Sequence, residues 1–379
     1  MRDETIITNA ALVLPDSVRH GTLVLRGGAI AEIQTSPSAA PGVIDAEGDY
    51  VIPGVIDLHT DNLERQVQPR SNARWPSRSA MVAHDAQCAA AGVTTVLDAL
   101  CLGDLGFEKD RVRTFRDGLA DIDALSDAGA LRAEHFLHLR CELPAPETPL
   151  LVEPAADHPR VRLVSLMDHS PGYGQYADLE RYRKMRLREG MTLEEANRRI
   201  AFLQDQRARV RPRNRRTLLE MMTARDIPLA SHDDGTEEEV AENAADGIRI
   251  SEFPTTLGAA RAAKQAEITV IAGAPNVVRG GSHSGNVSAG ALMQARAVDA
   301  LASDYVPISL IEAAFRCAAA AGLSLPRAIA LITDSPARMV GLSDRGRIAP
   351  GLRADLVRVR VHEGLPIVRQ VWRAGIRIA

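Results

Sequence analysis

Hydrophobic and polar positions follow two rhythms along this chain. Through the middle, short apolar runs end abruptly in polar residues: "VIDLHTDN", "GVTTVLDAL", "EHFLHLRCELP", "VRLVSLMDHSP", "IPLASHDDG", "IRISEFPTT", "ITVIAGAPN" and "ALASDYVP". Helically patterned segments such as "SRSAMVAHDAQCAAAG", "TEEEVAENAADG" and "TLGAARAAKQAE" separate them. Strand–helix alternation predicts parallel strands covered by helices. Eight such units fit an α/β fold, a (β/α)8 TIM-like barrel, with an open doubly wound sheet as the rival. The two ends differ. "TIITNAALVLP" and "GTLVLRGGAIAEIQT" near the start, and "GRIAPGLRADLVRVRV" and "PIVRQVWRAGIRIA" near the finish, alternate β-branched residues with Gly and Pro breaks. They predict a small β-sandwich domain built from both termini, residues 1–52 and 343–379, around a barrel spanning 53–342.

The polar strand ends carry the chemistry. The first strand gives His59 and Asp61, the third Glu142, the fourth Asp168 and His169, the fifth His232, Asp233 and Asp234, the sixth Glu252 and the eighth Asp304. In a barrel these converge on one mouth, the C-terminal ends of the strands. Asp234, just before "GTEEE", reads as a helix N-cap. In a regular strand His59 and Asp61 share a face, so both can reach one ion from inside the barrel. Imidazole and carboxylate together suit zinc, manganese or iron, and carboxylates alone favour magnesium. The expectation is one or two divalent metal ions whose identity the donor set leaves open.

Composition narrows the picture further. The 379 residues carry a net charge of −4, with 45% hydrophobic and 25% charged residues, so no global basic field points to nucleic acid. No apolar run reaches membrane-spanning length, and the start lacks a signal-peptide core; the cytoplasm is the expected location. Four scattered cysteines form no CxxC pair, and Cys141 reads as a small buried residue. Only Lys109, Lys184 and Lys264 are lysines; the other basic residues are arginine, which suits carboxylate and phosphate. Between strands four and five, at about residues 174–225, a polar helical insert holds thirteen Arg/Lys against four Asp/Glu from Arg181 to Arg216. It is either a solvated hairpin or a lid that brings arginines over an anionic ligand. Homo-oligomerisation stays open.

"PGVIDLHTD" after an N-terminal β-segment, with "DSPARMVGLSDRGRIAPGLRADLV" near the end, resembles the amidohydrolase superfamily along nearly the whole chain. The resemblance implies a metal-bearing barrel that hydrolyses its substrate with metal-activated water. His59-x-Asp61 departs from the superfamily's usual His-x-His. No lysine lies at a barrel strand end to supply the carbamylated bridge of many two-metal members, so the resemblance puts Glu142 in that place. It makes His169 and His232 imidazole ligands beside His59 and Asp61, and makes Asp304 the carboxylate that orients and deprotonates water. Glu252 replaces the usual strand-six histidine loosely and is assigned to substrate binding.

Seven strings in order, "HTDNLERQVQPR", "HLRCELP", "LMDHSPG", "SHDDGT", "EFPTT", "GAPNVVRGGSHSGNVSA" and "ASDYVP", resemble the superfamily's hydrolases of the carbon–phosphorus lyase pathway. That implies a small-molecule ribose triphosphate substrate, α-D-ribose 1-methylphosphonate 5-triphosphate, cleaved to the 5-phosphate and pyrophosphate. Such a substrate needs cations and donors. Arg65, Arg70 and Arg140 lie near the strand ends, and "NVVRGGSHSGNVSAG" offers Arg279, Gly281, His283 and Asn286, with a helix starting near Ser288. Two alternatives remain: an amidohydrolase acting on a cyclic amide or heterocycle, and a non-catalytic scaffold subunit.

Overall fold

The structure, a computed structural model, describes residues 4–70, 73–106, 110–282, 285–320 and 322–379. Eight parallel strands run in sequence order: β1 (Val55–Thr60), β2 (Val93–Leu102), β3 (Glu134–Glu142), β4 (Val161–Met167), β5 (Leu229–His232), β6 (Ile250–Glu252), β7 (Thr269–Gly273) and β8 (Ala300–Ala302). A parallel bridge between Thr60 and Asp304 joins β8 back to β1 and closes the barrel. Each of the eight apolar runs picked from the sequence is one of these strands. The closed order excludes the open doubly wound sheet.

The barrel has an apolar floor. Ile56, Leu58, Leu97, Phe136, Leu163, Ala230, Ile250, Ile271 and Ala300 pack in one cluster, at least one from every strand. Side chains two positions on along a strand return to the same face. Phe136 is thus followed by His138 and Arg140, Ala230 by His232, Ile250 by Glu252, and Ala302 by Asp304. The polar layer is therefore stacked on the apolar one by the two-residue period. In β1 the pairing with β2 shifts register between Asp57 and Thr60, which breaks the alternation and lets His59 follow Leu58 into the interior.

The terminal strands form a second sheet with its own core. Tyr50–Pro53 joins the two ends of the chain: it pairs in parallel with Glu4–Val13 and antiparallel with Leu356–His362. Ile7, Leu12, Leu23, Leu25, Val51, Leu356 and the buried Trp372 pack together, so both termini contribute to one core. Gly54 links this sheet to β1 with no room for a side chain, because a Cβ there would overlap Thr94 Oγ1 and approach Asp355 Cβ to 2.8 Å.

The insert after β4 is a short helix, Leu179–Arg188, and a 31-residue one, Leu193–Thr223. Thr192 and Glu195 form a reciprocal cap at the start of the longer helix. Its charges are largely matched: Arg183 pairs with Glu180, Arg186 with Glu189, Arg198 with Glu194, Arg209 with Asp205, Arg207 and Arg211 with Asp168, and Arg215 with Asp246.

Candidate active site

A cavity of about 1070 Å³ opens at the C-terminal ends of the strands. Asp61, Arg65, Arg140, His169, His232, Asp233, Asn286 and Asp304 all line it. At its base three imidazoles meet. The His59 and His232 rings stack with centroids 5.5 Å apart, and His169 meets His232 edge-on at 5.6 Å.

Each imidazole has one nitrogen held by a carboxylate. Glu252, fully buried, lies 3.1 Å from His59 Nδ1 through Oε1 and 3.3 Å from His232 Nδ1 through Oε2. Glu142 accepts from His169 twice, from the backbone N–H at 2.9 Å and from Nδ1 at 2.6 Å. An ionised carboxylate only accepts, so every Nδ1 carries the proton and every Nε2 keeps its lone pair. Burial alone would raise both glutamates. Interactions with His138 and His232 outweigh burial at Glu252, and those with His169 outweigh it at Glu142, so both sit below the usual value. Burial pushes His59 and His232 well below the ordinary histidine value, which keeps the rings neutral.

The free nitrogens face another acid. His232 Nε2 and His169 Nε2 lie 3.6 and 3.9 Å from Asp233 Oδ2. Asp233 Oδ2 and His59 Nε2 are buried without a hydrogen-bond partner. Asp233 rises to about 7, chiefly through burial. Its backbone is left-handed, at φ 59°. Buried lone pairs that converge and lack a proton donor suit a cation, and the arrangement repeats the carboxylate–histidine–metal pattern. The donor atoms of His59, His232 and Glu252, and those of His169, His232 and Asp233, form two sets whose members lie within 4.8 Å of one another. His232 belongs to both. The residues fit a divalent ion.

Asp61 and Asp304 lie at the seam where the barrel closes. Asp304 N donates to His59 O, and Asp61 N donates to Asp304 O, each at 2.9 Å. Asp61 Oδ2 is 3.6 Å from Arg140 Nη1. Asp304, also left-handed at φ 55°, is held well above the ordinary carboxyl value by burial and then by the charges of Asp61, Asp233 and Asp57.

Several expectations land elsewhere. Glu252 lies beneath the histidines instead of against a substrate, because the two-residue period from Ile250 carries it to the layer just above the floor. Glu142 is placed behind His169, with both oxygens engaged by it. Arg279, exposed at the end of the helix Ala274–Arg279, and Gly281 do not line the cavity, whereas their neighbours Asn276 and Ser282 do. His283 lies outside the described residues. The helix near Ser288 starts there, at Ala289. Asp234 is no cap: it accepts from Ser231, Ser251 and Asn243, while Thr236 caps the following helix. From the insert Gln175, Tyr176, Met185 and Glu189 line the cavity, and none of its arginines is among the described lining residues.

Two members of the cluster escaped sequence reasoning. His138 Nε2 is 3.7 Å from Glu252 and 2.9 Å from Ser165 Oγ, and its Nδ1–H donates to Leu58 O at 3.0 Å. Burial lowers it to about 3. His138-x-Arg140-x-Glu142 is the same two-residue alternation as His59-x-Asp61 and was the signal that marks it. Asp233 was visible as a strand end but sits between two other polar residues that competed for the role.

A second buried group lies beside the site. His84 Nε2 and His135 Nδ1 each lie 2.7 Å from an oxygen of Asp98, His135 Nε2 lies 3.2 Å from Asp85, and Asn62 Nδ2 donates to His84 Nδ1 at 3.0 Å. These atoms already satisfy one another, so the chain anchors the turn after β1.

Comparison with known proteins agrees with this fold. The sequence profile described as the amidohydrolase family matches residues 223–370. The α-D-ribose 1-methylphosphonate 5-triphosphate diphosphatase of Escherichia coli (strain K12) is 43% identical over 98% of this chain and 100% of its own length. A D-hydantoinase of Rhizobium radiobacter is 33% identical, but over 32% of this chain and 24% of its own. Among solved structures, the 5-methylcytosine deaminase of Klebsiella pneumoniae superposes with a TM-score of 0.64 at 17% identity, over 99% of this chain and 98% of that one. The N-acetylglucosamine-6-phosphate deacetylase of Pasteurella multocida does so with 0.62 at 13% identity, over 99% of each. These two establish the fold alone. The full-length likeness to the E. coli enzyme goes further, and the chain belongs to the amidohydrolase superfamily, in the family of that diphosphatase.

Proposed function

We infer that this chain is a metal-dependent hydrolase that cleaves α-D-ribose 1-methylphosphonate 5-triphosphate to the 5-phosphate and pyrophosphate, in phosphonate catabolism. The observation that carries the reading is the 43% identity that runs through the whole of the E. coli diphosphatase. A cavity of about 1070 Å³ with arginines on its wall is a suitable container for a triphosphate.

His59, His169, His232 and Asp233 would hold one or two divalent ions, with Glu252 and Glu142 orienting the imidazoles. A bound ion supplies Lewis-acid polarisation and makes a nucleophile available at neutral pH. Asp304 lines the cavity beside Asp61 and Asp233 and takes the proton of the attacking water. Arg140 and Arg65 bind phosphate oxygens, and Asn286 donates to the other end of the substrate. The rest is positioning, as in other phosphoryl transfers.

The test is pyrophosphate release from the ribose triphosphate, beside hydantoin and dihydropyrimidine substrates. Turnover of the triphosphate alone is expected. Turnover of the cyclic amides instead would favour the reading that the partial D-hydantoinase match suggests. His59→Ala should strip metal from the protein, and a purified wild type devoid of metal and activity would leave the scaffold reading.

A further inference from the structure

The cavity has its arginines on one side, interleaved with the carboxylates Asp61, Glu64 and Asp110. Five arginines line it, and all five come from one arc of the mouth: Arg65, Arg70 and Arg74 follow β1, Arg111 follows β2, and Arg140 lies in β3. Across the barrel, the segments at the ends of β6 and β7 contribute Phe253, Pro254, Gly273, Asn276 and Asn286, and no arginine or lysine among the described lining residues. In a closed eight-strand barrel, β1–β3 and β6–β7 are opposite walls.

We propose that the arginine arc is the seat of the leaving pyrophosphate, and that the neutral wall opposite takes the ribose. This rests on the triphosphate reading above and adds to it the direction in which the substrate lies. Arg74 and Arg111, to which nothing in the sequence drew attention, become specificity-determining residues.

Three observations support the assignment. Arg140 is 5% exposed, its Nη1 has no hydrogen-bond partner, and its nearest acid, Asp61, stands off at 3.6 Å. A buried guanidinium with an idle N–H at a cavity wall is prepared for an anion. Arg74 is held by Asp117 at 3.0 Å and by Thr114 Oγ1 at 3.1 Å, so its fork is already ordered before a ligand arrives. Arg65 donates from Nη1 to Tyr305 O at 2.6 Å. A guanidinium engaged along one edge keeps donors on the other.

The chemistry asks for charge on this side. Water adds to the α-phosphorus, and the bond from that phosphorus to the oxygen bridging it to the β-phosphate breaks. The electron pair of that bond leaves on pyrophosphate, and the water's proton passes to Asp304. Negative charge grows on the departing oxygens, where the arginines stand.

The experiment measures inhibition and calorimetric binding by inorganic pyrophosphate and by the 5-phosphate product. The proteins are metal-loaded wild type, Arg70→Ala, Arg111→Ala and, on the opposite wall, Asn276→Ala. Each arginine variant should weaken pyrophosphate about ten- to hundredfold while leaving the 5-phosphate product within about threefold. Asn276→Ala should do the reverse. Pyrophosphate binding within about twofold of wild type in both arginine variants, or equal weakening of both products, overturns the proposal. Calorimetry needs no turnover. A wild type that binds pyrophosphate through these arginines yet does not hydrolyse the triphosphate would therefore refute the function and keep the subsite.

Discussion

Replacing Glu252 by Gln keeps the side chain's size but exchanges an acceptor oxygen for an NH2 donor. Glu252 accepts from His59 Nδ1 at 3.1 Å and from His232 Nδ1 at 3.3 Å. The glutamine oxygen can still accept from one ring. Its amide faces the other ring, which can meet a donor only by moving its proton from Nδ1 to Nε2, and that closes one metal-binding lone pair. Loss of one carboxylate–histidine support costs about 10- to 100-fold in metal affinity, or about 1.4–2.8 kcal/mol. Glu252→Ala removes both supports and, if they add, costs on the order of 10²- to 10⁴-fold. Competition with a fluorescent zinc chelator, with circular dichroism to confirm folding, ranks the three proteins as wild type, then Gln, then Ala. Folded variants that bind zinc within twofold of wild type would refute the idea that Glu252 fixes the imidazoles.

Asp304→Asn should lower kcat by about 10²- to 10⁴-fold with metal content unchanged, read from pyrophosphate release beside elemental analysis. In His135, burial lowers the pKa but the charges of Asp98 and Asp85 outweigh it and raise it from 6.5 to about 9. That raised value contributes on the order of 3 kcal/mol of stability, fully present below pH 6.5 and lost as the pH climbs through about 9. Urea unfolding of wild type and of Asp98→Asn from pH 6 to 10 should show the gap between them narrowing; a constant gap counts against the charged pair. Gly103→Ala should destabilise by roughly 2–4 kcal/mol in thermal unfolding, because φ is +100° and the new Cβ would overlap Thr148 Oγ1 and come within 2.8 Å of Ala145 Cβ.

The barrel was legible because each strand announces itself twice, as an apolar run and as the polar residue that ends it. Period-two logic then carried His232 and Asp304 to the cavity. It failed at β1, where the register shift reverses the alternation, although His59 still arrives in the interior. Glu252 was misjudged because a strand end looks the same in sequence whether its side chain supports a ligand or is one; only the 3.1 Å approach to His59 separates the two. Arg74 and Arg111 were invisible because they sit beyond the strand ends, in segments whose path periodicity does not describe. The insert's arginines drew attention by number alone, and some of their acids, Asp168 and Asp246, come from elsewhere in the chain.

The closing bridge between Thr60 and Asp304 joins residues made early in synthesis to residues made near its end. Asp304 takes its place beside His59 only once β8 has docked against β1. The rim of the cavity is therefore the last part of the barrel to be completed, and it cannot be assembled from the first half of the chain alone.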